Sequence, residues 1–369
     1  MRVTLGDVCE KGASNLKQSD VVNMTGEYPI YGAAGYIGNV DFYHQEKPYV
    51  AIVKDGAGIG RTTLYPAKSS VIGTMQYLLP KDNVLPEYLC YVVRHMHLEK
   101  YFTGATIPHI YFRDYKNEQF NLDSLDKQAE IVQILGKAES IILKRRKELD
   151  ELGNLVKARF VEMFGIYPAN QMGWETGKIR DTVADVRYGS SRPAVDGGKY
   201  PYLRMNNITY GGELDLSDVK RIDVPENELD KCTVRRGDVL FNRTNSKELV
   251  GKTCVYDRDE MMVLAGFVIR VRVNDRVLPE FLSAFLNTDF SKKTLSEMCK
   301  AAIGQANINA QEMQNIGLYL PPLELQRQFV QFKKQVDKSK VVESIHRMNV
   351  LFNITLNGGN RYDIRANEF

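Results

Sequence analysis

The sequence predicts an α+β fold in which two strand-rich α/β domains stand in tandem, each followed by a long helix. Three observations lead to this prediction: the chain repeats itself, two charged segments carry apolar residues at helical spacing, and short apolar runs lie between turn-forming residues. The predicted segments are domain 1 at 1–122, a central helix at 123–165, domain 2 at 166–320, a C-terminal helix at 321–357 and a flexible tail at 358–369.

Two motifs occur twice, in the same order. Residues 84–89 (VLPEYL) recur as 277–282 (VLPEFL), and the pattern LxxLxxQxxxV at 122–132 recurs at 320–330. Because chance matches between short motifs rarely keep both order and spacing, we interpret the chain as an internal duplication.

Each domain is predicted to consist mainly of strands, with one helix. Short apolar runs bounded by Gly, Pro and Asn are typical of strands, and the proline of each repeated Leu-Pro-Glu suits the first turn of a helix. The predicted strands are 49–53, 76–79, 238–241 and 268–273, and the predicted helices are 86–100 and 279–287.

The central helix has the seven-residue repeat of a coiled coil. Its apolar seam runs through Ile131, Leu135 and Ile142 to Met163, and no proline interrupts it. A similar stripe follows Pro322. We therefore expect the two long helices to form an antiparallel coiled coil, which would relate the two domains by a pseudo-twofold axis.

Composition limits the function classes that need to be considered. No apolar run approaches the roughly 20 residues that span a membrane, and the N-terminus lacks a signal-peptide core, so a cytoplasmic location is expected. The five cysteines show no Cys-x-x-Cys spacing, so neither disulfides nor a zinc site is expected. Net charge is only +3, so any nucleic-acid-binding surface must be local.

A glycine-rich loop at 55–60 (DGAGIG) resembles loops that bind S-adenosylmethionine or a dinucleotide. Its spacing is one residue short, and a strand-like run ending in Pro66 follows where a helix should begin. A strand-connecting loop is therefore favoured, and a self-contained DNA methyltransferase that uses this loop is the alternative. We find no methyltransferase, nuclease or ATPase motif, and predict no catalytic, cofactor-binding or metal-binding residue in this chain.

Polar, basic and aromatic residues cluster in predicted loops of both domains. Arg and Lys suit guanine edges and phosphates, Asn and Gln suit adenine, and Ser and Thr serve either role. The polarity of any one of these residues is about as well explained by exposure to solvent as by base contact. The prediction of DNA binding therefore rests on the clusters and not on single residues. The candidate DNA-binding residues are Lys54, Arg61, Thr62, Thr63, His109, Tyr111, Arg113, Arg187, Tyr188, Ser190, Ser191, Arg192, Tyr202, Arg204, Asn206, Asn207, Asn242, Arg243, Thr244, Asn245, Ser246, Gln305 and Asn307.

Three longer motifs resemble the specificity subunit of type I restriction-modification systems. They are YPYLRMNNITYGGELD at 200–215, VRRGDVLFNR at 234–243 and IGLYLPPLELQ at 316–326. The first half resembles the family at 49–62 and 122–132. With the duplication, the resemblance covers essentially the whole chain.

The resemblance implies two target-recognition domains that each bind one half of a split, asymmetric site in double-stranded DNA, with the helices setting the spacer. It implies two modification subunits that bring S-adenosylmethionine and methylate adenine N6. It also implies restriction subunits that bring ATP and Mg for translocation and cleavage, and no active site in the specificity subunit itself. A two-headed coiled-coil adaptor that binds proteins is a further alternative.

Overall fold

The computed structural model describes residues 1–104, 107–299 and 306–357, with side chains described up to residue 340. The predicted tail lies outside the described residues. Contacts within the chain group it into two compact units, the first formed around Met1–Ile142 and the second by Leu143–Val350. Both units combine helices and strands, which confirms the predicted α+β class. The predicted domain boundaries stay a prediction.

The first unit contains strands and short helices that lead into one long helix. Its strands are β1 (Arg2–Thr4), β2 (Cys9–Ala13), β3 (Tyr28–Gly32), β4 (Gly35–Val40), β5 (Tyr49–Val53), β6 (Thr62–Tyr65), β7 (Ser70–Val71), β8 (Met75–Pro80) and β9 (Gln119–Asn121). Its helices are α1 (Leu5–Val8), α2 (Gln18–Val21), α3 (Pro86–His95), α4 (Phe112–Tyr115) and the start of α5 (Leu125–Phe164), with a 3₁₀ turn at Leu98–Tyr101.

A four-stranded antiparallel sheet in the order β2-β8-β5-β6 forms the centre of the first unit. Every residue of β5 is buried, because both faces of this strand are covered. On one face, Ile52 belongs to a core with Leu89 of α3 and Ile131 of α5. On the other face, Ala51 belongs to a core with Val71 of the second sheet, β4-β3-β7.

The second unit begins with the end of α5. Its strands are β10 (Glu175–Lys178), β11 (Val183–Tyr188), β12 (Tyr200–Leu203), β13 (Lys220–Ile222), β14 (Thr233–Val234), β15 (Val239–Asn242), β16 (Thr244–Asn245), β17 (Thr253–Val255), β18 (Met262–Leu264), β19 (Val268–Val273), β20 (Ala306–Asn307) and β21 (Gly317–Leu320). Its helices are α6 (Glu226–Cys232), α7 (Pro279–Leu286), α8 (Asp289–Met298), α9 (Ala310–Gln314) and α10 (Leu323–Asn357), with 3₁₀ turns at Ile179–Thr182 and Met205–Asn207.

The two units share one topology. The central sheet of the second unit has the order β11-β19-β15-β17, and its second sheet pairs β12 with β18 in parallel, as β3 pairs with β7 in the first unit. The predicted strands therefore occupy matching places, and α3 and α7 begin at the predicted prolines. Helix α3 ends at His95, earlier than predicted, because a left-handed residue at His97 turns the chain into the 3₁₀ segment.

One buried glutamine in each unit joins the two repeated motifs. Gln128 of α5 is fully buried; its side-chain oxygen accepts from Leu85 N–H at 2.8 Å, and its amide donates to the carbonyls of Asn83 and Asp123 at 3.0 and 2.9 Å. Leu85 is the N-cap of α3. The long helix is thus bonded to the start of the domain helix.

Gln326 of α10 makes the equivalent bonds in the second unit. It is also fully buried, accepts from the N–H of Leu278, the N-cap of α7, at 2.8 Å, and donates to Arg276 and Pro321 carbonyls at 3.2 and 2.8 Å. The repeat in the sequence is therefore also a repeat of specific hydrogen bonds.

The end of α5 and the start of α10 pack together within the second unit. The rings of Phe160 and Phe164 lie 5.3 and 5.8 Å from the ring of Phe329, and the Arg159 guanidinium lies 5.8 Å from the ring of Phe332. An antiparallel coiled coil along the whole of both helices stays a prediction. None of the described helices combines the length and apolar character needed to cross a membrane.

Candidate nucleic-acid interface

In the second unit, the candidate residues meet where β15 ends. Arg243 lies between β15 and β16, and its backbone is held on both sides: its N–H donates to Phe267 O at 2.9 Å, and its carbonyl accepts from Ile308 N–H at 2.9 Å. Strand β16 pairs with β20, which places Thr244 opposite Asn307. Segments that are about sixty residues apart in sequence therefore form one surface.

An aromatic ring supports the Arg243 side chain. The guanidinium lies 4.9 Å from the ring centroid of Tyr188, and the Tyr188 hydroxyl accepts from Ala310 N–H at 2.9 Å. Such a cation–π contact orients the guanidinium. Arg243 Nε is buried and has no hydrogen-bond partner within the described part of the chain. Tyr188 is 43% exposed, so this pair can meet a ligand.

Strand β11 and the loop after it are shaped by internal bonds. Arg187 is bonded to Asp185, and Arg192 makes two bonds with Glu228, at 2.7 and 3.2 Å. The Arg192 partner lowers the pKa of Glu228. Ser190 is buried and its hydroxyl accepts from Arg192 N–H, whereas Ser191 is exposed. Ser191 is therefore the residue of this loop best placed for a phosphate or base contact. Arg187, within β11, stays a candidate because its side chain is 56% exposed beside its bond to Asp185.

Two candidate residues lie inside the unit. Tyr202 is 5% exposed, and its hydroxyl donates to the carbonyls of Ser190 and Arg192. Asn207 is 2% exposed; its side chain accepts from Arg204 N–H and donates to two carbonyls of the following loop. A direct DNA contact is therefore not proposed for Tyr202 or Asn207. Both position loops from within.

Arg204 and Asn206, which precede Asn207 in sequence, are more exposed than Asn207 itself. Arg204 is bonded to Asp218 at 2.7 Å, and Asn206 is exposed. Beneath this segment, Lys252 is 7% exposed and its ammonium donates to Met205 O at 2.9 Å. Burial lowers the pKa of Lys252. Lys252, directly before β17, thus fixes the turn that carries Asn206.

Burial also separates the residues at the end of β15 from those that follow it. Asn242 is fully buried, and neither polar atom of its side chain has a partner among the described residues; Thr244 is 7% exposed. Asn245 and Ser246 are partly exposed, and the Asn245 side chain accepts from Ser246 N–H at 2.9 Å. Direct contact is retained for Asn245 and Ser246. Gln305 lies outside the described residues.

The first unit repeats this arrangement at the end of β5. Lys54 N–H donates to Thr74 O at 3.0 Å, and its carbonyl accepts from Ile110 N–H at 2.9 Å. These are the bonds that Arg243 makes with Phe267 and Ile308. Lys54 and Arg243 therefore occupy equivalent positions in the two units.

The segment bonded to Lys54 through Ile110 carries a row of planar side chains. The rings of His109 and Tyr111 lie 6.4 Å apart at 22°, and the Arg113 guanidinium lies 5.0 Å from the Tyr111 ring. The rings sit two residues apart in an extended segment and so face the same side. His109 Nδ1 lies 2.7 Å from an oxygen of Asp55. The first unit thus brings Lys54 together with the predicted cluster of His109, Tyr111 and Arg113.

The other residues predicted to lie with Lys54 are at the start of β6 or directly before it. Arg61 is exposed and Thr63 partly so, but Thr62 is 6% exposed and its hydroxyl donates to Gly60 O at 3.0 Å. The glycine-rich loop at 55–60 joins β5 directly to β6. The prediction of a strand-connecting loop is confirmed, because a strand follows where a nucleotide-binding loop would open a helix.

Sequence reasoning missed two residues of these surfaces. Phe267, 52% exposed, lies between β18 and β19 and its carbonyl holds Arg243. Asp55, next to Lys54, pairs with His109. The sequence signal for Phe267 is an aromatic residue directly after Gly266, between two apolar runs. Asp55 carried no such signal, because its partner is 54 residues away.

Comparison with known proteins identifies the class to which these features belong. The family model for the type I restriction modification DNA specificity domain matches residues 1–153 and 172–349. The chain therefore belongs to this family, and the suspected resemblance is confirmed.

Individual relatives agree with this assignment. Over 199 residues the chain is 25% identical to the type I restriction enzyme EcoKI specificity subunit of Escherichia coli (strain K12), covering 53% of this chain and 42% of that protein. Over 341 residues it is 25% identical to the type I restriction enzyme MjaVIII specificity subunit of Methanocaldococcus jannaschii, covering 84% and 78%. The match thus spans less than half the length of the E. coli protein.

Solved structures share the fold. The S subunit of a type I restriction-modification system from M. genitalium superposes with a TM-score of 0.53 at 14% identity, covering 96% of this chain and 95% of that one. A chain from a study of complex assembly in the type I system gives 0.50 at 16% identity, with 96% and 95% coverage. At this identity the likeness concerns the fold alone.

Proposed function

We propose that this chain is the DNA-recognition subunit of a type I restriction-modification complex and that each unit binds one half of a split, asymmetric DNA site. The observation that carries the proposal is the equivalence of Lys54 and Arg243. In each unit a basic residue with the same backbone bonds follows the central strand; Lys54 is bonded to the segment that carries His109 and Tyr111, and Arg243 lies over the ring of Tyr188. Basic, aromatic and amide groups in one rigid surface suit phosphates and base edges.

The two surfaces carry different side chains on one backbone plan. The first unit has Asp55 and His109 where the second has Thr244 and Asn307. Different side chains at equivalent positions read different bases. The proposed site is therefore asymmetric, with two unlike half-sites around a spacer.

The long helices are proposed to set that spacer and to dock two modification subunits. Helix α5 has 40 residues, which corresponds to about 60 Å at 1.5 Å per residue. The buried bonds of Gln128 and Gln326 attach each helix to its own domain, so the position of a domain follows the helix.

Catalysis is proposed to lie on partner subunits. Modification subunits would supply S-adenosylmethionine and methylate adenine N6, and restriction subunits would supply ATP and Mg²⁺. This chain is proposed to be non-catalytic and to work in the cytoplasm.

The experiment that tests the proposal maps N6-methyladenine in host DNA with and without this gene. We expect one motif of two short half-sites around a fixed gap to lose methylation when the gene is deleted. If the modification subunits are active and no motif is lost, the proposal is wrong. An adaptor that binds proteins would give that result. A self-contained DNA methyltransferase would lose its motif too, but the purified chain would methylate DNA without partner subunits.

A second experiment, methylation mapping of a variant, tests which half-site the second unit binds. Replacing Arg243 and Asn245 together with alanine should abolish specificity for one half-site and leave the other intact. Arg236→Ala, which removes an exposed arginine bonded to Asp259 before β15, serves as the matched control. An unchanged motif in the double variant would remove this loop from the interface.

A further inference from the structure

The two units differ in chemistry at one equivalent backbone bridge. In the first unit the bridge joins Asp55 to His109, a carboxylate and an imidazole. In the second it joins Thr244 to Asn307, whose side chains make a neutral contact of 3.4 Å. The pair of His109 and Asp55 occurs at a surface position, with the two side chains 36% and 31% exposed. It therefore stands where the proposed base contacts are made.

The short contact determines where the imidazole carries its proton. His109 Nδ1 lies 2.7 Å from Asp55 Oδ1. A carboxylate oxygen accepts and does not donate, so Nδ1 must be the donor. In a neutral imidazole the other nitrogen, Nε2, then carries the lone pair and accepts hydrogen bonds. For Nε2 we find no partner within the described ranges.

The ring is also held in place by its surroundings. The His109 backbone exchanges two 2.8 Å hydrogen bonds with Thr103. The Tyr111 ring lies nearly parallel to the imidazole, and the Arg113 guanidinium covers Tyr111. A side chain held on several sides presents its free atom in a defined direction, which specific readout requires.

We propose that His109 is a specificity-determining residue of the first unit, and that Asp55 is a positioning residue that presents His109 Nε2 as a hydrogen-bond acceptor toward a base with an exocyclic amino group. In the major groove, adenine N6 and cytosine N4 donate, whereas guanine O6 and thymine O4 accept. The first unit therefore distinguishes adenine or cytosine from guanine or thymine at one position. This inference rests on the proposed function of the same surface.

The test uses the full-length chain assembled with the modification subunits of its host. Binding is compared across DNA libraries that carry all four bases at each position of the split site. The wild-type complex should prefer adenine or cytosine at one position of one half-site by about tenfold or more, the discrimination typical of a specific base contact.

Two variants separate positioning from contact. Asp55→Ala frees both imidazole tautomers, so the preference at that position should fall to within about twofold while the other positions keep theirs. His109→Ala removes the contact and should lose the same preference together with about tenfold in affinity. A purely structural role of Asp55 would instead weaken binding to all bases alike.

Chemical substitution in the DNA gives an independent readout. A base without its amino group, purine for adenine or 2-pyrimidinone for cytosine, should weaken wild-type binding about tenfold and leave His109→Ala binding unchanged. Asp114→Ala removes a neighbouring carboxylate that faces Arg113 and not His109, and should keep the wild-type preference.

The outcomes distinguish the two proposals. A split motif that keeps its preference in both variants overturns the role of His109 and leaves the proposed function standing. The absence of any split motif in the wild-type complex overturns the proposed function itself. If Asp55→Ala fails to assemble, His109→Ala and the amino-free DNA decide the question.

Discussion

Replacing Gln326 with leucine should detach the domain helix of the second unit from the long helix. Leucine has nearly the volume of glutamine but no polar atoms. The change leaves the Leu278 N–H and the carbonyls of Arg276 and Pro321 without the side chain that now satisfies them. Gln326 is fully buried, so water does not replace it without opening the site.

The expected cost follows from these three bonds. A buried polar group that loses its partner costs about 1–3 kcal/mol. Carbonyls have a second lone pair and tolerate the loss better than an N–H, so we expect a total of about 3–5 kcal/mol in the free energy of unfolding of the second unit. Gln128→Leu should do the same in the first unit, where the bonds are equivalent.

Denaturant unfolding combined with amide hydrogen exchange measures this effect where it occurs. Protection should fall around α7 in Gln326→Leu and around α3 in Gln128→Leu. Gln328→Leu is the matched control, because Gln328 is exposed two residues further along α10. The reasoning is refuted if Gln326→Leu differs from Gln328→Leu by less than about 0.5 kcal/mol, the range of ordinary surface substitutions.

Three further predictions concern the surface, the charge and the length of the chain. Phe267→Ala should weaken binding to the second half-site about tenfold through a lost apolar base contact, whereas Met261→Ala, also exposed, should not; equal losses in binding titrations would contradict a role for Phe267. Burial and the ammonium groups of Lys157 and Lys252 lower the pKa of Lys292 to about 8 from 10.5. Between these values the unfolded chain binds more protons, so stability rises with pH. Lys292→Met also removes the bond from this ammonium to Gly251 O at 2.8 Å, so the pH dependence is the readout. In thermal melts the variant should gain about 2 kcal/mol in the free energy of unfolding relative to wild type between pH 10 and pH 7; a difference independent of pH would exclude this cause. Inserting one heptad into each long helix adds about 10 Å, so methylation mapping should give a longer spacer with unchanged half-sites; altered half-sites would mean that the helices do not act as a ruler.

For the candidate site, the sequence predicted which loops are polar but not which of their side chains reach the surface. Composition marked the cluster of Asn242 to Ser246, but not that Asn242 points into the core while Asn245 remains partly exposed. Tyr202 and Asn207 are polar like their neighbours, and the sequence does not distinguish them. In the structure, the side chains of both donate hydrogen bonds to backbone carbonyls of adjacent loops. A polar side chain is buried when the fold offers it partners, and these partners come from other segments.

What the sequence determined by itself is what depends on neighbours along the chain. The runs at 49–53 and 268–273, the helix starts at Pro86 and Pro279, and the duplication follow from local apolar patterns and repeated motifs. The strands and helix starts are properties of short windows, in which residue spacing indicates the conformation, and the duplication is visible because two such windows recur in the same order.

Only the tertiary structure decided which distant residues meet. Sequence reasoning noted both repeated motifs without showing that Gln128 bonds to Leu85 or Gln326 to Leu278. It placed His109 in a candidate cluster without its partner Asp55, 54 residues away. The physical reason is that hydrogen bonds across strands and helices depend on how the sheets pair and pack, and the side chains themselves show no sign of a partner until the chain is folded.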